Sequence, residues 1–177
     1  MRVARLDDVT ELEALIALSA RTLLAPWYSP AQIDAAVGSV FAVDTQLLGD
    51  GTYYVASQGA AIVGCGGWSR RKTLFGAARG HRSDAASILD PAREPARIRA
   101  FFVDPACARR GIGAALMRRC ERAAADAGFR SMELVATLGG VPLYAASGFA
   151  AIEPFEIPLN GGLTLPVVRM RKDIAAT

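Results

Sequence analysis

The residues whose types and spacing could do chemistry are concentrated in one short stretch of six residues: Arg109, Arg110, Gly111, Ile112, Gly113 and Ala114. A strand-like run, Ile98 to Val103, precedes the stretch, and a helix-like run continues after it to about Ala127. The first backbone N–H groups of a helix have no intrahelical partner, and the helix dipole places partial positive charge there. Glycine lets a ligand approach the backbone, and arginine carries forked donors that suit phosphate. The stretch therefore predicts a site for a phosphate-bearing ligand, with a pyrophosphate as the best match.

The surroundings of this stretch strengthen a signal that is weak alone, because an ordinary helix start also uses glycine for close packing. Before it, Val103-Asp104-Pro105 ends the strand, since proline cannot donate to a ladder and holds the preceding residue in an extended conformation. After it, Tyr144 lies a few residues before the pair Gly148-Phe149.

Together the three motifs, V-D-P, A-R-R-G-I-G-A and Y-A-A-S-G-F, resemble the GCN5-related N-acetyltransferase (GNAT) superfamily. In that family a strand ending in V-x-P is followed by Q/R-x-x-G-x-G/A at a helix start, and later by a Tyr before a G-F pair. The match covers Ile98 to Phe149, and the family's first Gln or Arg falls on Ala108. If the motif is instead aligned to start at Arg110, an arginine occupies its first position, but the distance from V-x-P is then wrong.

The resemblance implies an α/β (α+β) fold with a mixed, mostly antiparallel sheet of about seven strands and helices on both faces. We expect one domain over residues 1–177. The implied activity is transfer of an acetyl group from acetyl-CoA to a primary amine of a small molecule or peptide by direct attack, without a metal. Two alternatives are an acetyl-CoA-binding sensor without catalysis, and an unrelated nucleotide-binding module in which the glycine pair is coincidental.

The resemblance also assigns roles to residues. Backbone groups of Phe101, Phe102 and Val103, at a splay in the sheet, would bind pantetheine, with the Val103 N–H as oxyanion donor. The stretch from Arg109 to Ala114 would hold the pyrophosphate. Thr137 would offer a hydroxyl where many relatives place an Asn. Tyr144 falls on the usual general acid, although a tyrosine on a short helix can also serve only for packing.

No residue is identified as the general base. Many relatives carry a Glu on the fourth strand, whereas residues 97–103 contain no carboxylate. Glu133 and Glu94 are candidates, but each is better interpreted as a surface acid, and ordered water or an already neutral amine would serve equally well.

The acceptor site is expected to involve side chains outside the motifs. Trp27, Tyr28, Tyr53 and Trp68 are candidate wall residues, although most aromatic residues of a domain are core. The segment 70–96 reads as a long loop with a helical turn near 83–89, and its six basic residues favour an acceptor that carries a carboxylate or phosphate.

Composition excludes several other classes. The chain of 177 residues is 52% hydrophobic, which argues against disorder, and no apolar run is long enough to span a membrane. Cys65, Cys107, Cys120 and the single histidine, His81, lack metal-site spacing, so we expect free thiols in a reducing cytoplasm. The net charge of +3 and the absence of an aromatic stacking motif argue against a nucleic-acid partner.

The predicted order of elements is β-α-α-β-β-β-α-β-α-β-β. A capping box of Asp8 and Glu11 is predicted to start the first helix, and Ser29-Pro30 a second helix that runs towards Val43. Glycines in the third strand suggest a bulge or a close approach by a ligand. The last two strands, joined at residues 160–162, could pair with a second copy to form a homodimer.

Overall fold

A twisted seven-stranded sheet organises the chain, and the computed structural model describes residues 1–74 and 87–174 of it. The strands follow the spatial order β1-β2-β3-β4-β5-β7-β6. Only β4 and β5 pair in parallel among these neighbours, and the other pairs are antiparallel. The predicted mixed, mostly antiparallel sheet is therefore confirmed. The strands are β1 (Arg2–Val3), β2 (Tyr53–Gln58), β3 (Ala61–Ser69), β4 (Ala96–Val103), β5 (Ser131–Thr137), β6 (Ala150–Pro158) and β7 (Thr164–Asp173).

Helices cover both faces of the sheet, as predicted. The helices of the described chain are α1 (Val9–Leu23), α2 (Pro30–Ala36), α3 (Thr45–Gly49), α4 (Ile112–Asp126) and α5 (Val141–Ala146). Because side chains alternate along a strand, each inner strand contributes to two cores. Val135 faces the core formed with α1 and α2, whereas Leu134 faces the core formed with α4 and α5.

The N-terminal cap of α2 is the one that the sequence predicted, whereas the predicted cap of α1 is not formed. Ser29 caps α2 by accepting from the Gln32 N–H at 3.2 Å. The predicted capping box of Asp8 and Glu11 is wrong, because both carboxylates have other partners. Asp8 accepts from the Arg2 guanidinium at 2.6 Å and 2.7 Å, and Glu11 accepts from the Ile62 N–H at 2.6 Å.

A bulge interrupts the pairing of β3 with β4, as the glycines of β3 suggested. The register shifts between Cys65 and Gly67, and opposite the shift Ala100 has a φ of 58°. A Cβ at Gly66 would lie 2.6 Å from the Phe101 ring, and one at Gly64 would lie 2.7 Å from the Ile112 side chain. The close approach is thus made by the protein's own side chains.

The other differences from the expected elements concern their ends. The helix α2 ends at Ala36 instead of running towards Val43. The five-residue helix α3 was not predicted. In the long loop, Arg71 forms a β-bridge with Ile88, and most of the helical turn predicted near 83–89 lies outside the described residues.

The three cysteines are buried free thiols, as expected. Burial raises the pKa of Cys65 to about 12 and also raises that of Cys120, so neither is a reactive thiolate. Of the helices in the described segments, none is long and apolar enough to cross a lipid bilayer.

Because the Phe101 ring packs where a side chain at Gly66 would lie, we predict that a larger residue at position 66 destabilises the fold. Gly66→Ala should lower the free energy of unfolding by about 1–3 kcal/mol, because the new methyl group must displace a packed ring. The matched control is Gly49→Ala, in which the added Cβ has no heavy atom within 4 Å; it should be neutral or raise stability by up to about 1 kcal/mol. Urea unfolding of both variants measures the difference, and equal stabilities would contradict the packing described here.

Candidate active site

A gap opens in the sheet between β4 and β5. Their parallel pairing runs from Ala96 opposite Met132 to Ile98 opposite Leu134, and ends there. Beyond that point residues 99–103 of β4 diverge from residues 135–137 of β5, which continue to pair with β7. The backbone edge of β4 that faces the gap is therefore available to a ligand, because an unpaired strand edge presents N–H and C=O groups.

A pocket of about 230 Å³ lies at this gap and takes its walls from both strands and from α1 and α5. Much of its surface is apolar, from residues such as Leu23, Val40, Phe41, Leu74 and Leu143. Six polar or charged side chains of the described chain interrupt that surface: Ser19, Ser39, Asp44, Arg99, Thr137 and Tyr144. Such a mixture suits an amphipathic ligand.

The residues predicted to bind pantetheine line this pocket. The Phe101 ring packs edge-on against Tyr144 at 6.2 Å between centroids, and Phe102 packs against Phe41 at 5.9 Å. The Val103 N–H donates to the Ser19 hydroxyl oxygen at 3.3 Å. Ser19, which is buried on α1, was not singled out from the sequence, because nothing in a helical pattern marks a serine that faces a strand end.

Tyr144 is a buried pocket residue on α5, held between Phe101 and Phe149. Among residues 1–74 and 87–174, none forms a hydrogen bond with its hydroxyl. Burial raises the pKa of Tyr144 above its ordinary value near 10, which keeps the phenol protonated and able to donate.

The predicted phosphate site, residues 109–114, forms the start of α4. Gly111 caps the helix with a φ of 82°, and Arg109 also has a positive φ, of 60°. The first hydrogen bond of the helix runs from the Ala115 N–H to the Gly111 carbonyl, so the preceding amides of the first turn have no intrahelical acceptor. Arg109, Arg110 and Gly111 are exposed, whereas Ile112 and Ala114 are half-buried.

The predicted phosphate site lies beside the pocket, and none of its residues lines the pocket. The Ile112 side chain lies over Gly64, which pairs with Val103 at the end of β4. A Cβ at Gly113 would lie 3.0 Å from Leu143 of the pocket wall. The absence of a side chain at Gly113 therefore serves helix packing, whereas the glycine at 111 serves the left-handed cap.

Thr137 lies at the end of β5, on the other side of the gap, where its side chain lines the pocket. A Cβ at Gly140 would lie 3.1 Å from the Thr137 hydroxyl oxygen and 3.0 Å from the Tyr144 ring. The glycine thus lets the hydroxyl and the ring approach each other.

A buried ion pair that the sequence did not reveal faces the pocket. Arg99 of β4 pairs with Asp44, the N-cap of α3, at 3.4 Å between Nε and Oδ2. The Arg99 Nη2 donates to the Gln46 side-chain oxygen at 2.7 Å. Both partners of Arg99 come from α3, so the failure to predict that helix concealed this part of the site.

The acids considered as bases do not line the pocket. Glu133 is not a surface acid, because it is 2% exposed and binds Arg97 at 2.6 Å and Arg169 at 2.9 Å. Glu94 accepts from the Asp90 N–H at 2.7 Å. Of the loop's basic residues, Arg71 forms a paired contact with Asp50 at 2.6 Å and 2.7 Å, and His81 lies outside the described residues.

The four aromatic wall candidates are not among the residues lining the pocket. Tyr28, Tyr53 and Trp68 are core residues, and the Tyr28 hydroxyl donates to the Pro166 carbonyl at 2.7 Å. Trp27 is half exposed, and its indole lies against Gly139.

Comparison with known proteins agrees with this geometry. The model of the acetyltransferase (GNAT) family matches residues 12–149. A GCN5-related N-acetyltransferase from Rhodopseudomonas palustris is 19% identical, with a TM-score of 0.71 over 95% of this chain and 91% of that chain. The PaiA N-acetyltransferase from Thermoplasma acidophilum, solved in complex with coenzyme A, is 15% identical, with a TM-score of 0.66 over 97% and 96%.

A ribosomal-protein-alanine N-acetyltransferase from Brucella melitensis is also similar, at 16% identity and a TM-score of 0.62 over 97% of this chain and 98% of that chain. No curated protein matches the sequence significantly. At these identities the structural likenesses show the shared fold, while the family match spans most of the chain. On that evidence the chain belongs to the GNAT family of acetyltransferases.

Proposed function

We propose that the protein is an acetyl-CoA-dependent N-acetyltransferase that acetylates a primary amine of a small molecule or peptide. The observation that carries the proposal is the gap between β4 and β5, which joins an open strand edge, the α4 start and a pocket containing Tyr144. Acetyl-CoA supplies an activated acetyl thioester and, in pantetheine and pyrophosphate, groups that match the strand edge and the helix start.

The residues of the gap would hold the acetyl donor in place. The backbone of Phe101 to Val103 would pair with the pantetheine amides, as a neighbouring strand would. The α4 start, with Arg109 and Arg110, would bind the pyrophosphate, because amides without acceptors, the helix dipole and charge act together there. Fixing the reactive carbon in this way can contribute several kcal/mol to catalysis.

The groups around the reacting carbon have distinct roles. The acceptor nitrogen forms a bond to the acetyl carbon, and the bond from that carbon to sulfur breaks. The Val103 N–H stabilises the charge that develops on the carbonyl oxygen, exchanging its 3.3 Å bond to Ser19 for a shorter one. Tyr144 donates its phenolic proton to the departing sulfur and regains a proton from solvent.

No side chain of the described pocket is placed as a base. Asp44 is the only carboxylate among its described lining residues, and both of its oxygens have partners in the Leu47 N–H and Arg99. The acceptor would therefore enter as the neutral amine or first lose its ammonium proton to water, and the proton that its nitrogen sheds after attack would also pass to water.

Replacing Tyr144 with Phe tests whether its hydroxyl is the general acid. Tyr144→Phe should lower kcat about 100-fold or more, because proton donation to sulfur is lost. The melting temperature and the Kd for acetyl-CoA should stay unchanged, since the ring keeps its packing against Phe101 and Phe149. Steady-state kinetics with an authentic acceptor provides the measurement, and unchanged turnover would remove Tyr144 from the mechanism.

The pH profile tests the absence of a protein base. The value of kcat/KM should rise with pH along a limb set by the pKa of the acceptor amine. No falling limb should appear below about pH 10, because burial raises the pKa of Tyr144 and keeps it protonated through that range. Profiles for two acceptors of different basicity should be displaced by the difference in their pKa values; coincident limbs would instead indicate a protein base.

A further inference from the structure

Arg99 has buried hydrogen-bonding capacity that its protein neighbours do not use. Its side chain is 2% exposed and lines the pocket. Nη2 has a partner in Gln46, but within residues 1–74 and 87–174 neither Nε nor Nη1 has a hydrogen-bond acceptor. The 3.4 Å contact of Nε with Asp44 is an ion pair without hydrogen-bond geometry. Guanidinium has five N–H donors, and buried donors are nearly always satisfied.

Two acids and two cations of the described chain act on Arg99, so the charges around it cancel and the guanidinium keeps its own positive charge. Asp44 and Asp50 are the acids that act on Arg99, and Arg71 and Arg97 are the cations. Arg71 is paired with Asp50, and Arg97 with Glu133. The guanidinium is also held in place, because Asp44 caps α3 through the Leu47 N–H and Gln46 follows on the same helix.

We propose that Arg99 anchors the carboxylate of the acceptor, so that the preferred substrate is an amine that also carries a carboxylate and an apolar side chain. This inference rests on the proposed function, because it identifies the acceptor of the same pocket. A carboxylate supplies the missing acceptor, and charge-assisted hydrogen bonds are about twice as strong as neutral ones. The apolar side chain would pack against Leu23, Val40, Phe41 and Leu74.

The anchor differs from the one that the sequence suggested. The basic loop favoured an anionic acceptor through residues such as Arg71, but that guanidinium is engaged by Asp50. Arg99 lies instead within the sheet, immediately before the bulge at Ala100, where β4 turns away from β5. The carboxylate contact and the backbone donor at Val103 therefore lie on the same strand.

The test compares amino acids with their primary amides as acceptors. L-leucine and L-phenylalanine, together with analogues in which the carboxylate lies farther from the amine, are each paired with the corresponding amide. For the best pair, kcat/KM should be about 10- to 100-fold higher for the acid, mainly through KM, as expected for one charge-assisted hydrogen bond. The amide has the less basic amine and so more neutral amine at a given pH, which biases the comparison against this result. Equal or better use of the amide in every pair would overturn the proposal.

Variants of Arg99 distinguish a role in binding the carboxylate from a purely structural role. Arg99→Gln should lower kcat/KM for the acid about 10- to 100-fold more than for the amide and so remove the preference, whereas an equal loss for both would indicate only a structural role. Because this change leaves Asp44 buried without its cation, the double variant Arg99→Gln with Asp44→Asn provides a charge-balanced form. Arg130→Gln, an exposed position before β5, is the matched control and should change neither substrate's kinetics.

A binding measurement separates this inference from the proposed function. Isothermal titration of the same acids and amides into the protein with CoA present does not depend on turnover. Arg99-dependent binding of the acid without acetyl transfer would support the anchor and count against the transferase. Transfer to neutral amines, with no preference for acids in binding or rate, would support the transferase and overturn the anchor.

Discussion

The early end of the pairing between β4 and β5 is the constraint on which the rest of the site depends. Parallel strands in a sheet interior normally pair along their length, because unpaired backbone groups away from water are costly. Here the pairing stops after Ile98 and Leu134, and the bulge at Ala100 redirects β4. A ligand with its own amides can satisfy the exposed edge, which is the physical basis for proposing the gap as the cofactor site.

The bulge is supported from the opposite side of β4. The Gly66 backbone leaves room for the Phe101 ring, and the Tyr53 hydroxyl lies 3.5 Å from the Ala100 carbonyl oxygen. Phe101 then packs against Tyr144, so the position of the proposed acid depends on a glycine of β3, the strand next to β4. Fold and catalytic geometry are thus coupled through one aromatic contact.

Buried ion pairs lie on the strands that flank the gap, and one of them contains the proposed acceptor anchor, Arg99. Arg97, Glu133 and Arg169 form a paired set on β4, β5 and β7, and Arg99 pairs with Asp44. Such pairs stabilise a fold little once desolvation is counted, but they fix the positions of the groups they contain. Arg99 is fixed in this way, and two of its three guanidinium nitrogens have no hydrogen-bond acceptor in the described part of the chain.

The parts of the structure that the sequence predicted are those encoded by local patterns. The strand-like run from Ile98 to Val103 located all but the first two residues of β4, and the glycine-rich motif at residues 109–114 contains the start of α4. The pocket polar groups could not be found in that way. Ser19, Asp44 and Arg99 are far apart in the chain, and only the tertiary fold brings them to one pocket. Glu133 was interpreted as a surface acid because its two arginine partners lie on other strands.

The most direct test of the account is hydrogen–deuterium exchange of the protein with and without acetyl-CoA. The account predicts slower exchange in the peptides that contain residues 100–103 of β4 and residues 111–114 of α4, with no change in the exposed edge strand β6. ATP at the same concentration should leave β4 unchanged. Protection confined to the α4 start and equal with ATP, or no protection of β4, would contradict the claim that the gap in the sheet receives the acetyl donor.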